Sequence, residues 1–398
     1  MKKVLLSLFV VSALFQSCSN DDDGNVETKV TAPSTYEFTR EGNSTVSYSG
    51  QTTRIKMAEE VVTALKVETN TEATIDAMFA HIENANDFSD ADLNASDKSV
   101  RSKVAASTDY FSANTTEANE IKADFDTWIE EQVNDVFPSW SVTAEVGVAG
   151  ALQQSGGGTV RYINAKGLEY NQAFAKGLIG GLMIDQIVNN YLSPAVLDAG
   201  SNVENNTNGV LEEGKSYTTM EHKWDEAFGY LYGAEAVATN PVLGVDQFLN
   251  EYLDRVEADE DFTGIASTIY DAFKLGRAAI VAGEYDVRDA QAEIIKGNIS
   301  VIPAVRAVYY LQSGKNKLGV DDASAFHALS EAYGFIYSLQ FTRKPNTTVP
   351  YFTKTEVDAY LAQLMEGNGF WDITEETLDT MSDEISEAFG FTTEAAAN

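Results

Sequence analysis

Two eleven-residue stretches hold the side chains best suited to chemistry. HKWDEAFGYLY runs from His222 to Tyr232 and HALSEAYGFIY from His327 to Tyr337, with His, Glu, Ala, Gly and Tyr coinciding at an offset of 105 residues. On a helix, His222, Glu226 and Gly229 fall at i, i+4 and i+7, as do His327, Glu331 and Gly334. Each copy thus puts an imidazole and a carboxylate on one face, above a glycine that can admit a close neighbour. If the two helices meet about a pseudo-twofold axis, two histidines and two glutamates converge into a nitrogen and oxygen set suited to iron, manganese or zinc. Asp225 stands where the second copy has Ser330, so it adds a carboxylate to one half only. The alternative reading is a local His–Glu contact in each helix, with a glycine that serves only packing.

Asp185 is a further candidate ligand. The stretch from 164 to 193 carries an apolar stripe through Phe174, Leu178, Leu182 and Val188, and Asp185 lies at its edge. A carboxylate there must be hydrogen-bonded, paired or metal-bound. His81 has no partner pattern beyond Glu83 and is read as structural.

Other chemistries are disfavoured. No HExxH or Gly-x-Ser-x-Gly occurs, and a three-histidine zinc site would require all three histidines of the chain. GVLEEGKS, from Gly209 to Ser216, fits the spacing of a P-loop, but SNVENNTN precedes it and Glu212 and Glu213 sit in the loop itself. A phosphate cradle needs a buried strand before the glycine and amides free to face the anion. The stretch reads instead as a surface turn, with Ser216, Thr218 or Thr219 capping the next helix.

The elements that must position these residues are helical. In IKMAEEVVTALKV, Met57, Val61, Val62 and Leu65 share one face, and similar faces recur over 71–84, 116–136, 166–192, 216–236, 243–256, 264–282, 286–312, 321–340, 354–366 and 373–388. The 164–193 helix carries Gly177 and Gly181 four apart, which marks a close helix contact at the centre of the fold. TYEFTREGNSTVSYSG alternates enough for one or two short strands. The expected architecture is all-α: packed bundles with an internal duplication, minor strands near the N-terminus, and a hinge at Gly156–Gly158. A division of the domain into halves near 36–240 and 241–398 follows from the repeat.

The first residues, MKKVLLSLFVVSALFQSCSNDDDG, read as a secretion signal over 1–17 ending in a lipobox-like Leu-Phe-Gln-Ser-Cys. Cys18, the one cysteine, is the expected lipidation site, followed by a polar tether to residue 35 and the helical domain from 36 to 398. The fold then rests on packing without a disulfide. Ser19 in place of aspartate favours the outer membrane. The acids Asp21–Asp23 resemble a surface-export signal, with a periplasm-facing anchor as the alternative. With 61 acidic against 27 basic residues and a net charge of −34, the chain repels nucleic acid, while its field attracts cations.

An exported helical protein with paired His-and-carboxylate motifs resembles the imelysin-like proteins, whose signature is Gly-x-His-x-x-Glu. HKWDEAFGY and KGLIGGLMIDQIVNNYL look closest to an uncharacterised group of bacterial lipoproteins within that superfamily. Here Met220 takes the place of the signature glycine, and Asp225 stands three residues after His222, with Glu226 next. The resemblance implies a metal-related role for His222 and Asp225 or Glu226. The expectation is therefore an outer-membrane lipoprotein that binds iron, another divalent metal or a metal-containing ligand, and serves an uptake receptor or transporter. A metal-dependent peptidase with Glu226 or Glu331 as general base, and a helical interaction module without a metal site, are the alternatives.

Overall fold

The computed structural model describes residues 30–398 apart from Ala236 and Ala238. Residues 1–29, on which the expected signal segment, the lipidation site Cys18 and most of the expected tether fall, lie outside the described residues. Fifteen α-helices account for most of the described chain, and only two short antiparallel ribbons accompany them. The fold is all-α, as the periodicity predicts. No helix among the described residues is long and apolar enough to cross a membrane.

The fold takes hold at Tyr36, which is buried and stacks on Phe228 with ring centroids 3.7 Å apart. A single apolar core runs from Tyr36 to Ala396. At its centre lies the helix Tyr285–Lys315, which packs against Ile265–Ala282, Glu375–Phe389 and the second repeat helix, Asp322–Ser338.

Each repeat helix leans on an earlier helix through its glycine. The first, Thr219–Tyr232, crosses Ser49–Ala64 so closely that a Cβ on Gly229 would lie 2.4 Å from Cβ of Tyr48. The second crosses Tyr170–Leu178, where a Cβ on Gly334 would lie 2.5 Å from Cβ of Lys176. Backbone amides repeat the match: Ser47 donates to Asp225 at 3.2 Å, and Glu169 donates to the Ser330 hydroxyl at 2.9 Å. The chain order is thus partner, partner, repeat, repeat. The duplicated units interleave and are not separated by a boundary near residue 240.

Two expectations change. Gly156 and Gly157, with φ of +76° and +85°, form the tip of the ribbon that pairs Gly150–Gln153 with Val160–Ile163, so this glycine run turns a hairpin and is no hinge. The long glycine-bearing helix begins at Tyr170 and widens into π-helical turns over Ile179–Ile184 and Ile187–Tyr191. Gly177 and Gly181 there face Trp128 and Phe125. Gly180 makes the close approach to the second repeat helix, its amide donating to the Ser338 hydroxyl at 3.0 Å.

Candidate functional site

The first repeat helix starts at a capping box. Thr218 accepts from the Glu221 amide, and the Glu221 carboxylate accepts from the Thr218 amide at 2.7 Å. Glu221 and Asp225, one turn apart, both face Arg277, whose guanidinium lies 3.0 Å from each and is fully buried. Tyr36 donates its hydroxyl to Asp225 at 2.7 Å, and Arg40 reaches Glu221 at 3.0 Å. Burial pushes the Asp225 carboxyl above its usual range, against the pull of Arg277. Burial acts the same way on Glu221, but Arg277 and Arg40 hold it below its ordinary value. Both Asp225 oxygens are thereby engaged by protein donors, and the residue is an internal strut instead of a metal ligand.

His222 and Glu226 lie on the outer side of this strut. The His222 Nδ1 is 3.0 Å from the Ser47 carbonyl oxygen, and the ring stacks on Tyr217 at 4.7 Å. A carbonyl can only accept, so Nδ1 carries the proton and neutral His222 presents Nε2 as an acceptor. Nε2 faces Oε2 of Glu226 at 4.0 Å, and Glu226 also accepts from Lys223 at 2.7 Å and Gln51 at 3.1 Å. Burial opposes ionisation of Glu226, and Lys223 outweighs it, lowering its pKa.

The second copy repeats the pair with different supports. His327 Nδ1 is 2.9 Å from the Glu169 carboxylate, and its Nε2 is 3.8 Å from Oε2 of Glu331. Glu331 accepts from Tyr252 at 3.1 Å and pairs with Lys176 at 3.3 Å. Burial again opposes, and Lys176 again wins, so Glu331 is held below the usual carboxylate range. Ser330, in the place of Asp225, donates to the Phe326 carbonyl at 2.6 Å and needs no cation.

In both copies a histidine Nε2 and a carboxylate oxygen face each other at 3.8–4.0 Å, too far apart for a direct hydrogen bond. Each histidine side chain is 22% exposed, which leaves that gap open to solvent.

The two pairs open into separate clefts with no lining residue in common. His222 and Glu226 border one of about 630 Å³, with Arg54, Lys98, Lys103, Lys215 and Lys223 around it. His327 and Glu331 border another of about 800 Å³. Among the described residues, no three His, Cys, Asp or Glu side chains gather where they could hold a metal ion. The convergence expected of His222, Glu226, His327 and Glu331 therefore does not occur, because each repeat helix packs on its own earlier helix and not on the other copy.

Asp185 is fully buried and accepts from the amides of Ala106 and Ser107 at 3.0 Å and from Asn189 at 3.1 Å. Burial raises its pKa despite these bonds. It ties down the turn at Ala105, whose φ is +43°, and is structural. His81, expected to be structural, is buried with Nδ1 2.7 Å from Asp87.

Several residues of the site carry no motif. Ser47 meets His222 across 175 positions and Glu169 meets His327 across 158, so neither is legible locally. Arg277, inside the apolar IASTIYDAFKLGRAAIVA, and Lys176, inside the apolar 164–193 stretch, are the exceptions. A lone cation on a buried helix face requires a buried acid partner.

Fold and site together define an all-α protein with two His–Glu pairs, each at the edge of its own cleft. The chain belongs to the family described as Domain of unknown function (DUF4856), whose model matches residues 33–392. No curated protein and no solved structure matches it.

Proposed function

We propose that this protein is an outer-membrane lipoprotein of the imelysin-like kind that binds a small anionic molecule in the cleft beside His222, with a metal such as iron arriving as part of an anionic chelate and not as a bare ion. The carrying observation is charge. Five cationic side chains face that cleft against two carboxylates, Glu212 and Glu226, in a chain of net charge −34. Such a local reversal concentrates anions against the field of the whole molecule. Lys103 sharpens the point: among the described residues no carboxylate pairs with it. Burial, followed by the nearby Arg54 guanidinium, pushes its ammonium below its usual range. An anion between these cations relieves both effects. His222 Nε2 accepts the single proton of a ligand hydroxyl, which makes a hydroxycarboxylate the best match. An uptake role with a receptor at the membrane fits a tethered binder of this type.

Calorimetric titration of the mature chain with citrate, ferric citrate and zinc chloride tests this reading. Citrate or its ferric chelate binds saturably, more weakly as salt is raised, and about tenfold more weakly after Lys103→Gln or Lys223→Gln. Zinc binding lost on His222→Ala, with no response to either anion, contradicts it.

A further inference from the structure

The cleft of the second copy is built differently and carries a separate assignment. Arg306 projects from the central helix into its wall and is only 6% exposed. Its guanidinium carbon lies 4.0 Å from the ring centre of Tyr309 and 4.7 Å from that of Tyr310, so cation–π contacts hold the group against the wall. Its Nε is buried without a hydrogen-bond partner, and although Asp259, Glu260 and Asp261 line the same cleft and Asp259 feels its charge, among the described residues no carboxylate reaches ion-pair distance of the group. Arg161, from the ribbon strand Val160–Ile163, lines the same cleft, and its Nε is likewise buried without a partner.

Two buried Nε–H donors without acceptors lining one cleft are costly; among the described residues the one other arginine with an unmet buried donor is Arg343, at a single Nη. Arg277 shows the contrast, with Glu221, Asp225 and Thr45 filling its donor positions. A planar oxyanion satisfies a guanidinium edge with paired N–H···O bonds, a geometry that an ammonium cannot reproduce. The aromatic wall of Tyr309 and Tyr310 adds a flat surface beside it. We infer that the His327 cleft is a second binding site, independent of the one beside His222, that takes a planar, carboxylate-bearing small molecule with its carboxylate on Arg306. Arg161 supplies a second donor, and the gap between His327 Nε2 and Glu331 accepts a hydroxyl or amine donor from the same ligand.

Fluorine NMR of 4-fluorobenzoate, with 4-fluorobenzyl alcohol as its uncharged counterpart, tests the assignment on the mature chain. The acid shows saturable line broadening and the alcohol does not. Arg306→Gln weakens the acid at least about tenfold, and Arg161→Gln, on a half-buried strand, weakens it several-fold and covers the case in which the Arg306 variant misfolds. Lys103→Gln leaves benzoate binding unchanged, which separates this site from the His222 cleft and keeps the two readings independently testable. Equal broadening by acid and alcohol, no broadening by either, or binding lost with Lys103→Gln but kept in Arg161→Gln overturns the assignment.

Discussion

The two repeat helices place the same histidine, glutamate and glycine at the same spacing, yet they are held by opposite means. In the first copy a buried ionic cluster of Glu221, Asp225 and Arg277 lies behind the His–Glu pair. In the second the corresponding positions are Phe326 and Ser330, and there the helix is fastened by the Glu169 amide and apolar packing. What the copies share is the exposed face, and what differs is the buried one. A buried ion pair seldom adds net stability over an apolar replacement, but losing one partner strands the other. At these matching positions behind the pair, the first copy is therefore the one in which a single substitution strands a buried charge.

The largest effect expected follows from that asymmetry. Arg277→Met leaves two buried carboxylates without their cation and costs about 3–5 kcal/mol in urea unfolding. Ser330→Ala, at the matching place in the second copy, costs about 1–2 kcal/mol. Adding Asp225→Ser to Arg277→Met recovers part of the loss, since charge and counter-charge leave together. Equal costs for Arg277→Met and Ser330→Ala would erase the proposed difference.

Next in size come the glycines, which mark what the copies share. Gly229→Ala and Gly334→Ala each force a Cβ into side-chain carbons of the opposing helix, so each costs about 1–3 kcal/mol by thermal unfolding. A large cost at one position alone would show that the helix crossings are not equivalent.

The smallest effect is in pH. Glu221 is held below its ordinary value, so its stabilisation is complete above the unfolded-chain value of 4.5 and is lost as pH falls through the depressed folded one. The stability gap between the native chain and Glu221→Gln is therefore widest near neutrality and narrows below pH 4.5. A gap independent of pH would mean that Glu221 acts as a cap without its charge.

Much of this fold is legible in the sequence. Helical periodicity gives the all-α class, and the repeat points to two helices in like surroundings. Gly229 and Gly334 sit where close neighbours arrive. What periodicity does not carry is pairing. Nothing local tells that His222 will meet Ser47 or that His327 will meet Glu169, and the expected shared metal site depended on the two copies facing each other. Interleaved packing separates them. Asp185 is legible as a carboxylate in need of partners and Asp225 as an added candidate ligand, but the groups that engage them, two backbone amides in one case and Arg277 in the other, come from distant segments. The hairpin at Gly156–Gly158 was obscured because a flexible loop and a tight turn select the same residue.

The central claim is that the two His–Glu pairs serve separate sites. A chain with three histidines gives a simple imidazole spectrum, so nitrogen-correlated NMR of the protein tests this directly. The account predicts a proton on Nδ1 of His222 in the neutral ring, and on addition of citrate a saturable shift of the His222 signals while those of His327 and His81 stay in place. His222 and His327 shifting together, with one midpoint, on addition of a divalent metal would contradict it and restore a common metal centre.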